Sequence, residues 1–236
     1  MGPSISLNNV SLTLAGNRVL DPISVELAAG QLHMLVGPNG AGKTSLLKSL
    51  LGLMPHGGEI NRHWPDPNGK GLNAVRMPAY IPQQSQFDVV LPVTIEDYMS
   101  AIISPRPLFF RQSAKVRHQV AELLEQLGLG DKAGLQLGQL SGGERQRLMF
   151  AQALFRQSSL WFLDEPMTGL DTEGQTLITD LIGQFRDKRH TLVMVHHDMA
   201  FVRRHADNVL IINAGLEAMG PPQLVLVTGT GVSEVA

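Results

Sequence analysis

The stretch Gly37-Pro38-Asn39-Gly40-Ala41-Gly42-Lys43-Thr44 decides how this sequence is interpreted. It fits the pattern G-x-x-x-x-G-K-[ST] and lies between an apolar run at 31–36, typical of a buried strand, and a segment at 43–51 that predicts a helix. In that setting the glycines let backbone N–H groups turn towards phosphate oxygens, and the helix N-terminus adds its dipole. The pattern predicts that Lys43 reaches the outer phosphates of a nucleotide and that the Thr44 hydroxyl ligates Mg²⁺. We include the next residue, Ser45, in the predicted nucleotide-binding segment.

A second apolar run, 160–163, ends in the acidic pair Asp164-Glu165. An acid at the end of a strand beside a phosphate loop can hold Mg²⁺, and a second acid can polarise a water molecule. Two adjacent acids usually form a solvated turn, but this pair follows four apolar residues and precedes Pro166. The pattern therefore predicts Asp164 as a metal ligand and Glu165 as a general base.

A third motif, Ser141-Gly142-Gly143, opens a segment at 144–155 that predicts another helix. A hydroxyl and two glycines at a helix start form a second anion-binding N-terminus, here without a lysine of its own. Alone, Ser-Gly-Gly would be an ordinary loop. Its position shortly before the acidic strand makes it informative.

With these three motifs in this order, the sequence resembles the ATP-binding subunits of ATP-binding cassette (ABC) transporters over essentially the whole chain. The resemblance implies an α/β fold of the P-loop NTPase class, RecA-like, with a mostly parallel sheet, an N-terminal antiparallel β subdomain and an inserted helical subdomain. It implies a single ATP-binding domain over 1–236. Within it, we expect a catalytic core at about 1–87 and 156–220, a helical signature subdomain at about 88–155 and a C-terminal tail at 221–236.

The resemblance also implies roles for residues outside these motifs. Gln83 matches the family's Q-loop glutamine, which contacts Mg²⁺ and senses the membrane partner, and Gln84 is the alternative register. Asp171 matches a loop that crosses the dimer interface. His197 matches the histidine that contacts the γ-phosphate, with His196 as the alternative.

The implied activity is ATP hydrolysis, in which Glu165 activates water while Lys43 and His197 stabilise charge around the γ-phosphate. In the family, Ser141 and the two glycines that follow it close over the ATP bound by a second copy. The implied cofactors are therefore ATP and Mg²⁺, and the implied partners are a second copy in a homodimer, integral-membrane permease subunits and an extracytoplasmic solute-binding protein. The implied location is the cytoplasmic face of the cell membrane.

Segments at 91–97, 165–171 and 195–198 resemble the subgroup that serves zinc and manganese importers. Met167 and Leu170 stand where that subgroup commonly has Phe and Val. The implied function is ATP hydrolysis that powers import of a divalent metal ion. The alternatives are another cargo, such as an iron-siderophore or a different small solute, and a soluble ABC ATPase outside transport.

The sequence departs from the family pattern at two positions and contains one candidate docking surface. Leu14 stands where family members usually stack an aromatic ring on adenine, and Glu144 stands where the signature commonly has Gln. Apolar residues between Phe87 and Arg111 form a candidate docking groove for a permease helix, with the core of the helical subdomain as the alternative.

The composition of the chain argues against several other kinds of site and partner. Lys plus Arg is 19 and Asp plus Glu is 21, giving a net charge of −2, so we expect no nucleic-acid partner. The absence of cysteine excludes disulfides and thiolate metal sites. No window of about 20 apolar residues is present, so we expect no membrane-spanning segment and a cytoplasmic protein. Periodicity further predicts antiparallel strands within the first thirty residues and a last strand at 209–212, whereas residues 56–79 show no clear periodicity.

Overall fold

The structure is a computed structural model that describes residues 1–65, 77–84, 87 and 92–226. The chain divides into two compact units. The first comprises residues 1–80, 159–165 and 183–236, and the second comprises residues 81–158 and 166–182. The subdomain limits implied by the family resemblance stay predictions.

Along the described residues, the strands are β1 (Ser4–Leu14), β2 (Asn17–Leu27), β3 (Leu32–Val36), β4 (Gly57–His63), β5 (Ala79–Ile81), β6 (Leu160–Asp164), β7 (Thr191–Val195), β8 (Asn208–Ile212) and β9 (Leu216–Gly220). The α-helices are α1 (Lys43–Leu51), α2 (Ile95–Ile103), α3 (Ala114–Gln126), α4 (Gly142–Phe155), α5 (Thr172–Asp187), α6 (Met199–His205) and α7 (Pro222–Val225). Short 3₁₀ turns lie at Gly130–Lys132 and Leu137–Gln139.

A three-stranded antiparallel sheet in the order β2-β1-β4 forms from the N-terminal part of the chain. Alternate residues of β1, such as Ile5 and Leu7, are fully buried, because one face of the strand covers the core and the other faces water. The antiparallel pair predicted for the first thirty residues is confirmed. Residues 56–79, whose sequence shows no clear periodicity, include β4 and the first residue of β5. β4 is largely exposed and polar, so its sequence lacks a strand-like alternation.

The second sheet has six strands in the order β5-β6-β7-β3-β8-β9. β3 pairs in parallel with β7 and β8, and β6 pairs in parallel with β7. Every residue of β3, β6 and β7 is buried, which is why these strands are mostly apolar, with one polar residue in each. β9 adds to β8 antiparallel, so the prediction that 209–212 is the last strand was wrong. The residues of β9 are half-buried or exposed and carry no buried-strand pattern.

This sheet explains where functional residues can gather. Because β3, β6 and β7 are parallel neighbours, the loops after their carboxyl ends meet at one edge. Those loops carry the phosphate-loop motif, the acidic pair and the paired histidines. A mixed α/β fold with a mostly parallel sheet and an N-terminal antiparallel sheet is confirmed.

The second unit is mainly helical. Its helices begin at side-chain caps: the hydroxyl oxygens of Thr94, Ser113 and Ser141 each accept a backbone N–H from the first turn of α2, α3 and α4. Its buried side chains include Ile95, Met99, Val120, Leu124, Leu148 and Phe150. In the part of the chain that the structure describes, every helix is too short or too polar to cross a membrane.

Candidate active site

The phosphate-loop motif connects β3 to α1 through backbone conformations that require glycine. Gly37 has φ 143°, and a Cβ atom there would lie 1.9 Å from the carbonyl oxygen of Ile212. Gly40 and Gly42 also have positive φ, of 79° and 93°. α1 begins directly after Gly42, so the loop ends at a helix N-terminus, where the first N–H groups have no partner within the helix. The backbone therefore has the form of an anion cradle.

Lys43 lies across this loop. Its ammonium donates hydrogen bonds of 2.8 Å to the carbonyl oxygens of both Gly37 and Pro38. The residue is only 6% exposed, and burial lowers the pKa of its ammonium, an effect opposed by the carboxylates of Glu165 and Asp164. A buried cation that faces two acids is poised to exchange carbonyl partners for phosphate oxygens.

Thr44 and Asp164 lie together, although 120 positions separate them in the chain. The Thr44 hydroxyl donates a 2.9 Å hydrogen bond to Oδ1 of Asp164. Asp164 is 1% exposed, and burial raises the pKa of its carboxyl, while the hydrogen bond from Thr44 lowers it. A hydroxyl and a carboxylate on a dry edge beside a phosphate loop are the hard oxygen donors that Mg²⁺ prefers, so these residues fit that ion.

Glu165 and His197 form the other predicted pair. Nε2 of His197 lies 2.5 Å from Oε1 of Glu165, and the two side chains are 45% and 14% exposed. Glu165 has φ 50°, a left-handed conformation that a non-glycine residue adopts at an energetic cost. Its N–H donates to the carbonyl oxygen of Val195, 3.1 Å away, which ties the turn after β6 to the end of β7. Strained residues of this kind concentrate at functional sites.

The structure distinguishes the two neighbouring histidines. His197 is exposed and lies against Glu165. His196 packs its ring edge-on against Phe201 at a centroid distance of 4.5 Å, and burial lowers its pKa to about 4. The geometry therefore favours His197 as the functional residue and leaves His196 as a neutral packing residue.

The Ser141-Gly142-Gly143 motif forms the start of α4. Ser141 is the N-cap, and its hydroxyl accepts the N–H of Glu144 at 3.3 Å while its own N–H donates to Oε2 of Glu144 at 2.7 Å. A Cβ atom at Gly142 would meet nothing within 4 Å, whereas one at Gly143 would lie 3.0 Å from the carbonyl oxygen of Gly169. Gly142 thus faces open space among the residues that the structure describes.

The remaining predicted residues lie in the second unit. Gln83 and Gln84 both follow β5 in an exposed bend, so exposure does not separate the two registers. Asp171 is exposed, and its Oδ1 accepts the N–H of Gly174 at 2.9 Å in the turn that begins α5. The structure thus gathers Lys43 with Thr44 and their acidic partners in the first unit. It places Gln83, Asp171 and the Ser-Gly-Gly motif in the second unit.

Two features of the site were not found from the sequence. Tyr80 lies in β5, and the pKa of its hydroxyl is raised to about 12 by burial and by the charge of Asp164. Lys132 forms a hydrogen-bonded ion pair with Glu144 at the start of α4. The sequence has an apolar run before Gln83 and a helix-capping pattern at Ser141, but neither pattern identifies a partner that is distant in the chain.

Comparison with known families agrees with this geometry. The family model described as ABC transporter matches residues 20–168. The chain belongs to the ABC transporter family and is an ATPase of that family.

Similarity to individual proteins extends over nearly the whole chain. The manganese transport system ATP-binding protein MntB of Halalkalibacterium halodurans is 34% identical over 239 residues, covering 98% of this chain and 94% of that protein. The zinc import ATP-binding protein ZnuC of Paramagnetospirillum magneticum is 35% identical over 223 residues, covering 94% of this chain and 78% of that protein.

Solved structures share the fold. CbiO1 of Clostridium perfringens, part of the ABC transporter complex cbiONQ, superposes with a TM-score of 0.74 at 21% identity, covering 95% of this chain and 90% of that chain. An ATP-binding subunit of an ABC transporter superposes with a TM-score of 0.76 at 22% identity, covering 96% and 95%.

Proposed function

We propose that this chain powers the import of a divalent metal ion, zinc or manganese, by hydrolysing ATP with Mg²⁺. The observation that supports the catalytic part is the pairing of Thr44 with Asp164 and of His197 with Glu165 beside the phosphate loop. The cargo is supported by the names of the relatives, which are manganese and zinc transport proteins at 34% and 35% identity.

The proposed mechanism depends on charge placement, because phosphoryl transfer to water needs positioned charge more than covalent chemistry. The ammonium of Lys43 leaves the carbonyl oxygens of Gly37 and Pro38 to bind phosphate oxygens. The carboxylate of Glu165 accepts a proton from the attacking water, and the N–H of His197 turns from that carboxylate to donate to the γ-phosphate. Glu165 is suited to this task because its left-handed turn and its contact with His197 fix its direction.

Thr44 and Asp164 would hold Mg²⁺, with Gln83 as the proposed further ligand. When bound, the ion would neutralise charge on the β- and γ-phosphate oxygens. The buried carboxyl of Asp164 has a raised pKa because of desolvation. A cation beside that carboxyl would favour its charged form.

We propose that the active unit is a homodimer in which Ser141, Gly142 and Gly143 of one copy bind the triphosphate held by the other, with Asp171 at the interface. This is supported by the open space at Gly142, where a Cβ atom would meet nothing within 4 Å among the described residues outside the helix's own backbone. A helix N-terminus with a glycine at its first position offers exposed N–H groups to an anion.

The proposed further partners are permease subunits and an extracytoplasmic solute-binding protein, which would hold the chain at the cytoplasmic face of the membrane. The candidate docking segment supports this in part. Phe109 is 83% exposed, and its ring lies tilted against that of Phe110 at a centroid distance of 4.6 Å. Met99 in the same segment is fully buried and belongs to the core. Residues 88–91 of the predicted groove lie outside the described residues.

Metal uptake tests the proposed cargo. We expect deletion of the gene to lower cellular manganese or zinc, measured by mass spectrometry in metal-limited medium, and to leave iron unchanged. Complementation with the wild-type gene should restore the metal, and complementation with Glu165→Gln should not. A loss of iron alone would refute zinc or manganese as the cargo, and no change in any metal would refute metal import. Either result would leave the ATPase assignment intact.

Base selectivity tests the missing aromatic ring. Leu14 ends β1, is 37% exposed and offers adenine an aliphatic surface. Because base stacking is worth about 1–3 kcal/mol, we expect kcat/KM for ATP and GTP to lie within about tenfold of each other. Leu14→Phe should lower the KM for ATP. A preference for ATP above about a hundredfold in the wild type would contradict the expectation.

A further inference from the structure

The carboxylate of Glu144 stands at the start of α4 with two partners. One is the N–H of Ser141, which donates to Oε2 at 2.7 Å. The other is the ammonium of Lys132, which donates to Oε1 and forms an ion pair with it. Glu144 is 17% exposed and Lys132 is 30% exposed at the side chain, so this pair is partly shielded from water. The hydrogen bond from Lys132, followed by that from Ser141, lowers the pKa of Glu144 to about 2.

The carboxylate of Glu144 stabilises the helix but would repel a bound anion, and its ion pair with Lys132 reduces the second effect. A carboxylate in the first turn stabilises a helix, because it faces the positive end of the helix dipole. The same negative charge would oppose any anion that binds the first N–H groups of α4. Lys132 brings a positive charge to that carboxylate from the short 3₁₀ turn at Gly130–Lys132. The carboxylate of Glu144 therefore still caps α4, while the ammonium of Lys132 offsets its negative charge beside Gly142 and Gly143.

The neighbouring arginines are engaged differently. Nε of Arg145 donates to the carbonyl oxygen of Leu140 at 2.9 Å. The guanidinium of Arg147 lies near Gly128, where a Cβ atom would be 3.5 Å from it. Among the salt bridges of the described residues, Glu144 takes part in the one with Lys132. Lys132 is therefore the cation positioned to offset this carboxylate.

We propose that Lys132 is a positioning residue for nucleotide binding: by neutralising Glu144, it allows the Ser141-Gly142-Gly143 helix start of one copy to accept the triphosphate held by another. The proposal rests on the proposed function, because it requires the composite site of the homodimer. Lys132 acts through Glu144 and the helix start and does not itself touch the nucleotide.

A double-mutant cycle on the full-length chain tests this role. We expect Lys132→Met to raise the KM for ATP by about fivefold to tenfold, because an unneutralised carboxylate then repels the triphosphate. In the Glu144→Gln background, the same substitution should leave KM within about twofold, because the carboxylate is gone. Glutamine can still accept the N–H of Ser141, so the helix cap is retained. The KM ratio between Lys132→Met and wild type should also fall as salt is raised.

Lys115→Met is the matched control, because it removes one lysine from an exposed position of α3 in the same unit. It should leave KM unchanged. An active wild-type chain whose KM is unaffected by Lys132→Met would overturn this inference alone. So would a rise in KM that persists in the Glu144→Gln background, since that indicates a role independent of the carboxylate. A wild-type chain without ATPase activity would overturn the proposed function and this inference with it.

Discussion

The Glu165→Gln variant is expected to lose ATP hydrolysis by about a hundredfold or more and to accumulate as a nucleotide-bound dimer. A general base typically contributes between a hundredfold and ten-thousandfold to such a reaction. Glutamine has nearly the size of glutamate but cannot accept a proton from water. Its amide oxygen can still accept from Nε2 of His197, which lies 2.5 Å from Oε1 of Glu165. The geometry of the site should therefore survive while the chemical step stops.

The dimer follows from the block in hydrolysis. If intact ATP holds two copies together, a variant that binds ATP without cleaving it should elute from size-exclusion chromatography at twice the mass of the chain. Without nucleotide, the same variant should elute as the wild type does. The turnover number is measured by phosphate release, and the assembly state by light scattering on the same sample.

Glu26→Gln is the matched control for this prediction, because Glu26 is an exposed glutamate of β2 in the same unit. It should hydrolyse ATP at the wild-type rate and show no stable dimer. A Glu165→Gln chain that hydrolyses ATP at the wild-type rate would show that another group accepts the proton. A Glu165→Gln chain that stays monomeric with ATP would contradict the proposed homodimer.

Much of the site could be predicted from the sequence because its signals are local. β3 and β6 are five-residue buried strands that are mostly apolar, and a glycine or an acidic residue stands at the carboxyl end of each. A buried parallel strand is mostly apolar, so the polar residues at its carboxyl end lie at the sheet edge. The phosphate loop and the acidic pair follow from these two facts. The contact of Glu165 with His197 cannot be predicted in this way, since spacing alone does not indicate that β6 and β7 are neighbours.

The missed elements depend on partners distant in the chain. β4 (Gly57–His63) is polar and largely exposed, and it is a strand because β1 supplies its hydrogen bonds from about fifty residues earlier. β9 is held by β8 in the same way. The ion pair of Lys132 with Glu144 depends on how a 3₁₀ turn and two loops place the lysine before α4. Hydrophobic periodicity carries no information about any of these contacts.

The second large effect is expected at Gly142, the first residue of α4. We expect Gly142→Asp to reduce ATP hydrolysis by about a hundredfold while leaving the folded chain intact. Among the described residues outside the helix's own backbone, a Cβ atom at this position would meet nothing within 4 Å, so there is room for a side chain to begin here. An aspartate in the first turn of a helix also interacts favourably with the helix dipole. Any loss of activity must then arise from a ligand that approaches from outside the chain.

Gly134→Asp is the matched control, because a Cβ atom at Gly134 also has nothing within 4 Å and the residue lies in the same unit. Both variants add one carboxylate to an open glycine position, and both should melt within a few degrees of the wild type. Only Gly142→Asp should lose ATPase activity. If Gly134→Asp lost activity to the same extent, the effect would be one of net charge and not of the helix start.

Mixing two inactive chains tests whether the site is shared between copies. A Lys43→Ala chain lacks the phosphate-loop cation but keeps an intact α4 start, and a Gly142→Asp chain has the opposite defect. In a mixed dimer, the intact phosphate loop of the Gly142→Asp chain faces the intact helix start of the Lys43→Ala chain, so one complete site forms. We expect the mixture to regain ATPase activity that neither chain has alone. If each chain instead bound and hydrolysed ATP with its own helix start, the mixture would stay inactive, because each copy would then carry its own defect.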